Sequence, residues 1–241
     1  DLDEVRLTNA TVRMVKYAND STFNFQHLID YFASTEEDTT SSSFSLNVRK
    51  LALDDINFKY QDENAEKTNF GLDYSNVAIR HLSGEFSEFS MEGDEIRVQL
   101  EDLHFQEQSG FALSKLSAGI LYSPTLIQLD KLTLAYNNSI LISDQLQLRT
   151  PNGADDFSDF VNQVYFKGNI RNSIIDMGDI AYFSPSIYGM DVKINLNNVL
   201  LSGPVFGMRL DSLDLSMLAS TVLRGNFQIP NFDKPDEALF Q

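Results

Sequence analysis

The sequence predicts a mainly β protein: one long, curled, antiparallel-rich sheet (a β-taco-like trough) whose apolar side chains gather along one lane, with two short amphipathic helices. The leading observation is a recurring octet with apolar residues at positions 1, 3, 6 and 8 and two polar or turn-forming residues at 4 and 5. Clear copies are Leu51, Leu53, Ile56, Phe58; Leu72, Tyr74, Val77, Ile79; Val98, Leu100, Leu103, Phe105; Ile127, Leu129, Leu132, Leu134; and Ile194, Leu196, Val199, Leu201. The last copy is Met208, Leu210, Leu213, Leu215; another reads Ile175, Met177, Ile180, Tyr182, and a weaker one, Val5, Leu7, Ala10, Val12, opens the chain. The members of the copies starting at 51, 72, 98, 127 and 194, with Leu210, Leu213 and Leu215, are the candidate groove-lining residues.

The second observation is the chemistry of the central doublets. Each half of an octet has the period of two that puts alternate side chains on one face of a strand. The doublets Thr8-Asn9, Asp54-Asp55, Ser75-Asn76, Glu101-Asp102, Asp130-Lys131, Gly178-Asp179, Asn197-Asn198 and Asp211-Ser212 interrupt it. These residue types favour bulges and bends. An unbent strand would carry the second half of each octet to the opposite face, whereas a bend at the doublet returns it to the first. Repeated bends on one line curl a sheet into a trough; ordinary bulged strands of a barrel or sandwich produce the same pattern. The copies start at irregular intervals, so no solenoid period is present.

The two helices fall in the longest gaps between octets. Phe25, Leu28, Ile29 and Phe32 recur at helical spacing behind Ser21 and Thr22, as do Phe157, Phe160, Val161 and Val164 behind Asp155 and Asp156. An apolar stripe of this length plugs the local core, and neither stretch carries the basic face of a membrane-surface helix. Thr35 to Ser43 and Gln61 to Thr68 read as polar loops. The whole span 1–241 is expected to form one elongated domain, and the Pro151-Asn152-Gly153 turn would divide it into lobes 1–150 and 151–241. Opening on Asp1 and closing shortly after Pro235, the chain is expected to be a piece of a longer protein.

Composition narrows the function. Acidic residues number 35 against 18 basic ones, for a formal net charge of −17, which opposes binding to phosphate backbones and argues against nucleic-acid partners. Acidic surplus also solubilises a large β surface. Absence of cysteine excludes disulfides, thiolate metal sites and thiol nucleophiles. No apolar run approaches the roughly 18 to 20 residues that span a bilayer.

Signatures of catalysis are missing. His27, His81 and His104 form no metal-binding spacing, and neither a nucleophile elbow nor a phosphate-cradling glycine loop occurs. Adjacent carboxylates on a strand point to opposite faces, so Asp54-Asp55 and Glu101-Asp102 read as turn formers rather than an acid and base, and Asp155-Asp156 as a helix start. No enzymatic role, cofactor or metal is expected.

The run Ser21-Thr22-Phe23-Asn24-Phe25-Gln26-His27-Leu28-Ile29-Asp30-Tyr31-Phe32-Ala33-Ser34, its acidic Ser/Thr-rich spacer, and the stretch from Leu46 to Tyr60 resemble the N-terminal part of TamB-type proteins of Bacteroidetes, within the AsmA/TamB family. Tyr188 to Asn195, leading to Ser202-Gly203-Pro204-Val205, resembles the same family, and the octets extend the likeness across most of the chain. The resemblance implies a periplasmic segment of a protein anchored in the inner membrane outside this chain. It also implies partnership with a TamA-like outer-membrane assembly barrel through regions absent here, and movement of phospholipid between membranes. Such a segment would shelter acyl chains at about 0.8 kcal/mol per CH₂ removed from water. The alternative role is a protein-binding module that captures outer-membrane or secreted client strands by β-augmentation.

Overall fold

The computed structural model describes residues 3–26, 49–183, 187–204, 207–218, 220–228 and 239–240. Strands dominate it: β1 (Val5–Thr8), β2 (Thr11–Lys16), β3 (Lys50–Asp62), β4 (Asn76–Glu92), β5 (Glu95–Glu107), β6 (Ala112–Ser123) and β7 (Leu126–Tyr136). Then follow β8 (Ser139–Arg149), β9 (Tyr165–Asp176), β10 (Lys193–Pro204), β11 (Arg209–Met217), β12 (Thr221–Gln228) and β13 (Leu239–Phe240).

All thirteen strands belong to one sheet, ordered β1-β3-β4-β5 and onward in sequence to β13, with β2 also paired to β3. Pairing is antiparallel from β3 onward, and only β1 and β2 run parallel to β3. The path has two ends, so the sheet is open. It continues from β8 to β9 on either side of the Pro151-Asn152-Gly153 turn. Short antiparallel connections explain the sequential order, because neighbouring strands need only a tight turn to pair.

Five of the eight doublets carry a left-handed residue; Ser75-Asn76 instead leads into β4, Gly178-Asp179 lies in a helical turn, and Asn197-Asn198 shifts the β10 register without one. Asn9, Asp55, Asp102, Lys131 and Ser212, each the second member of its doublet, are left-handed, with φ between 51° and 56°. Such a conformation costs a non-glycine residue roughly 1 to 2 kcal/mol, less for Asn and Asp. It also turns an amide out of the ladder, and that amide is recaptured. Asp55 N donates to Ser83 Oγ (3.0 Å), Asp102 N to Ser117 Oγ (3.0 Å) and Ser212 N to Asn226 Oδ1 (2.9 Å), each acceptor standing on the neighbouring strand. Asn9 N donates to the Asp54 carbonyl (2.9 Å). Left-handed His81 and Asn172 continue the same line on β4 and β9. A crease therefore crosses the sheet from strand to strand.

Two sequence expectations need correction. Phe157, Phe160, Val161 and Val164 do not form an amphipathic helix: Ala154–Asp159 is a 3₁₀ segment and only Phe160–Gln163 is α-helical. The tight turn at Gly153 (φ 87°) and the Asp156 carboxylate, which accepts from Asn152 N and Nδ2 (both 2.9 Å), hold the backbone in that short form. Phe157 stays largely exposed while Val164 is fully buried. The other expected helix and the Thr35–Ser43 loop lie almost entirely outside the described residues. The polar stretch from Gln61 begins as strand, since β3 runs to Asp62.

Candidate functional site

The groove-lining candidates, apart from Leu72 and Tyr74, lie on strands, and cross-strand register decides which face each uses. Leu51 pairs with Phe86, Leu53 with Gly84, Ile56 with Leu82 and Phe58 with Ile79. Val98, Leu100, Leu103 and Phe105 pair with Ile120, Ala118, Leu116 and Leu113. Leu134 and Leu129 pair with Leu116 and Ile120 on one side and with Leu141 and Leu146 on the other, and Ile127 pairs with Leu148. Farther along, Ile194, Leu196, Val199 and Leu201 face Ile175, Ser173, Ile170 and Gly168, while Leu210, Leu213 and Leu215 face Phe227, Gly225 and Leu223. Paired residues share a face, so the octets form one continuous apolar face from β3 to β12.

Burial on that face follows the crease. Among the candidates, the buried ones are Ile56, Leu100, Leu132, Leu196, Val199 and Leu213, all next to or one residue removed from a doublet; the outer octet positions are half-buried. Three packed clusters connect along the face. One, around Leu132 and Ala118, shares Leu116 and Leu134 with a cluster at Phe111 and shares Leu141 and Leu201 with another around Val199. Glycines permit the closest approaches. A Cβ on Gly84 would stand 2.9 Å from Leu103 Cα, and one on Gly168 would run into the Gln145 carbonyl.

One end of the face is closed by aromatic rings. Phe111, from the β5–β6 turn, lies 5.7 Å from Tyr136, 5.9 Å from Tyr182 and 5.5 Å from Phe183, ring centre to ring centre. Phe70 adds contacts to Tyr182 (6.2 Å) and Tyr188 (4.2 Å). Polar bonds fix these connections in place: Leu72 N donates to the Tyr182 carbonyl (3.0 Å), and buried Asp179 accepts from Ser139 Oγ (2.6 Å) and Asn138 N (2.9 Å). Burial pushes the neighbouring Tyr136 hydroxyl above the usual tyrosine range.

The opposite end is more open among the described residues. Met91, Ile96, Tyr122 and Ile127 lie in register on the apolar face, yet Met91 is 65% and Tyr122 40% exposed, with Phe89 beside them at 52%. The reverse face carries many polar side chains, with Ile140, Ile142, Ile174 and Leu200 among them. Gln147 Nε2 donates to Gln128 Oε1 (2.7 Å), Gln145 Nε2 to Asp130 Oδ1 (2.8 Å), and Arg171 pairs with Asp144 (2.6 Å).

Two octet copies are misplaced. Leu72 lies in the loop before β4 and packs in the aromatic cluster with Leu103 and Phe105, and Tyr74 is 67% exposed and lines nothing. The copy that β4 carries is Val77, Ile79, Leu82, Gly84, around Arg80-His81. Ile175 to Tyr182 runs off the end of β9 into the helical turn Met177–Ile180, and β9 instead presents Gly168, Ile170, Ser173 and Ile175 around Arg171-Asn172. Phe89, Met91, Tyr122 and Phe111 escaped the octet template. The pairing of an exposed aromatic with a neighbouring octet's outer position was the available signal.

No group of histidine, cysteine and carboxylate side chains able to hold a metal occurs among the described residues, and none of their helices is long and apolar enough to cross a membrane. His81 Nδ1 meets Asp55 Oδ1 at 2.7 Å on the solvent side, and His104 Nδ1 lies 2.8 Å from the Asp102 carbonyl. Comparison with protein-family models, with curated proteins and with solved structures finds no match.

Proposed function

We propose that the chain is a non-catalytic, periplasmic segment of a cell-envelope protein that curls its sheet into a trough and shelters phospholipid acyl chains there. The observation that carries this reading is the in-register apolar face, creased along its middle and exposed at Phe89, Met91 and Tyr122. An acyl chain laid along the half-buried outer positions removes CH₂ groups from water at about 0.8 kcal/mol each, while its head group stays in solvent. Sliding along the face exchanges one apolar contact for another, so no acid, base or nucleophile is required. The resemblance to TamB-type proteins supports a role in outer-membrane biogenesis, with an inner-membrane anchor and a TamA-like barrel engaged through other parts of the protein.

Native mass spectrometry of the chain after incubation with phospholipid tests this. Retained lipid is expected, reduced by Val98→Asn and by Met91→Asn; a chain that takes up no lipid or detergent under any condition sinks the proposal. A second reading has its own support, since among the described residues the sheet path has two ends rather than closing. Such edges accept client strands by β-augmentation. Crosslinking to an extended client peptide that survives Val98→Asn would favour that role.

A further inference from the structure

The polar face of the sheet holds a cleft of about 330 Å³ at the junction of β2, β3 and β4. Alternation puts Arg13, Lys59 and Arg80 on the side opposite Phe58 and Ile79, and small Ala78, in register with Lys59, leaves room among them. Thr11, Asn57 and Gln108 add neutral hydrogen-bonding groups to the rim, and Phe58, between Asn57 and Lys59 in the chain, and Ile79, between Ala78 and Arg80, also border the cleft.

The charge there runs against the rest of the molecule. In a chain of net charge −17, no carboxylate among the described residues lines this cleft. Many cations elsewhere on the sheet are neutralised, as in Lys16 with Asp62, Lys50 with Glu85, Lys115 with Asp102, Arg171 with Asp144 and Arg224 with Asp214, while Lys131, Arg149 and Lys167 stand singly on their strands rather than together in a cleft. Arg13, Lys59 and Arg80 make no ion pair with any described residue. Arg13 also sits directly across from Lys59, an arrangement in which like charges repel. Carboxylates close by in the fold are already engaged: Glu107 accepts from the Ala78 and Ser109 amides (3.0 and 2.7 Å), and Asp62 is held by Lys16.

We propose that this cleft binds a phosphate-class dianion. Three cations converging from three adjacent strands suit a tetrahedral, multiply charged group better than a single carboxylate, and the two guanidinium groups can each take phosphate oxygens in pairs. The cleft is short and lies on a sheet face, whereas an extended acidic peptide would run along an edge. The site lies on the reverse side from the apolar lane, and it stands whether or not that lane carries lipid.

Isothermal titration calorimetry with inorganic phosphate, and flotation with phosphatidylcholine vesicles with and without phosphatidic acid, test the site and separate its two sources. Binding to either probe is expected, weakened at least tenfold in R13Q/K59Q and by added salt, and largely kept in K59R. Phosphate binding alone assigns a soluble ligand; vesicle binding that needs phosphatidic acid assigns a lipid head group. No binding to either probe, or binding unchanged in R13Q/K59Q, overturns the proposal. Thermal unfolding supplies the folding control: with the cross-strand repulsion removed and no phosphate present, R13Q/K59Q should melt at or above the wild-type temperature. A lower melting temperature would mean that carboxylates of the chain itself neutralise these cations, and that too overturns it. Acyl-chain uptake in R13Q/K59Q should match wild type, so failure here is distinguishable from failure of the lipid reading.

Discussion

At the Phe111 end of the apolar face, rings drawn from the β3–β4, β5–β6 and β9–β10 connections join in one cluster that Phe111 and Phe183 link to Tyr136, and Phe111 is only 8% exposed. At the Met91 end, apolar side chains of similar size occupy the same face in the same register and remain in water. The strands are continuous between the two, so the difference comes from the connections. Long connections at one end supply Phe70, Tyr182 and Tyr188; at the other, the β4–β5 and β6–β7 turns are short, and the longer β8–β9 connection beside them leaves Met91 and Tyr122 exposed. Under the proposed reading, the open end of the face is where an acyl chain would enter.

The contrast predicts opposite mutational profiles. Phe111→Ala should cost about 3 to 5 kcal/mol in urea unfolding, the range for emptying a buried aromatic site. Met91→Ala should change stability by no more than about 0.5 kcal/mol yet lower acyl-chain uptake. Equal stability losses at the two residues would show that the Met91 end is covered and would remove the proposed entrance.

Gly84 tests the crease between the ends. Gly84→Val places side-chain atoms against the Leu103 backbone and should destabilise by about 1 to 3 kcal/mol, as overpacking does. Urea midpoints would check this, and a neutral result would mean that β4 and β5 separate freely at the bend.

How far the sequence foretold this depends on what fills each octet position. On β5, β7 and β10 the apolar residues are large, the doublets are polar, and the register is as the spacing implies. On β4, β8 and β9 some positions of the apolar face hold Gly84, Ser143, Gly168 and Ser173, the glycines at outer positions and the serines next to the bend. These residues are small because the neighbouring strand closes over them, so a search for hydrophobicity passes them by. Leu72 and Tyr74 matched by spacing alone, one of them belonging to the aromatic closure. That closure joins residues near 70, 111, 136 and 182, and no local period records such a meeting. The Phe157 stretch had helical spacing, but its residues wind as a 3₁₀ segment, Ala154–Asp159, before a single α-helical turn, so the stripe read at a period of 3.6 does not hold.

Lys131 sharpens the role of the bend itself. It is the one doublet residue with a long side chain in the left-handed region (φ 52°). Lys131→Gly should stabilise the protein by up to about 1 kcal/mol, because glycine enters that region without a Cβ clash and the gain is partly offset by its greater freedom when unfolded. Lys131→Val should do the reverse. Thermal melts of the pair measure it, and identical values would imply that β7 straightens without penalty.

The smallest effect belongs to the solvent side of the crease. Arg171 Nη2 and Nε donate to Asp144 Oδ1 (2.6 and 2.9 Å) and Asn169 Nδ2 to Oδ2 (2.8 Å), and these bonds hold the Asp144 carboxyl below the ordinary carboxylate range. A carboxyl whose pKa is depressed by folding contributes its stability in full above the unfolded value of roughly 3.9, and loses it as pH falls through the lower folded value. Arg171→Gln should therefore lower the urea midpoint slightly at neutral pH, and the gap to wild type should close on acidification below about pH 4. Salt should narrow it too, since the pair is exposed. A gap at neutral pH as large as that of Phe111→Ala would mean that the ion pair on the wet side, rather than packing on the apolar side, holds the two ends of the face in their bent relation.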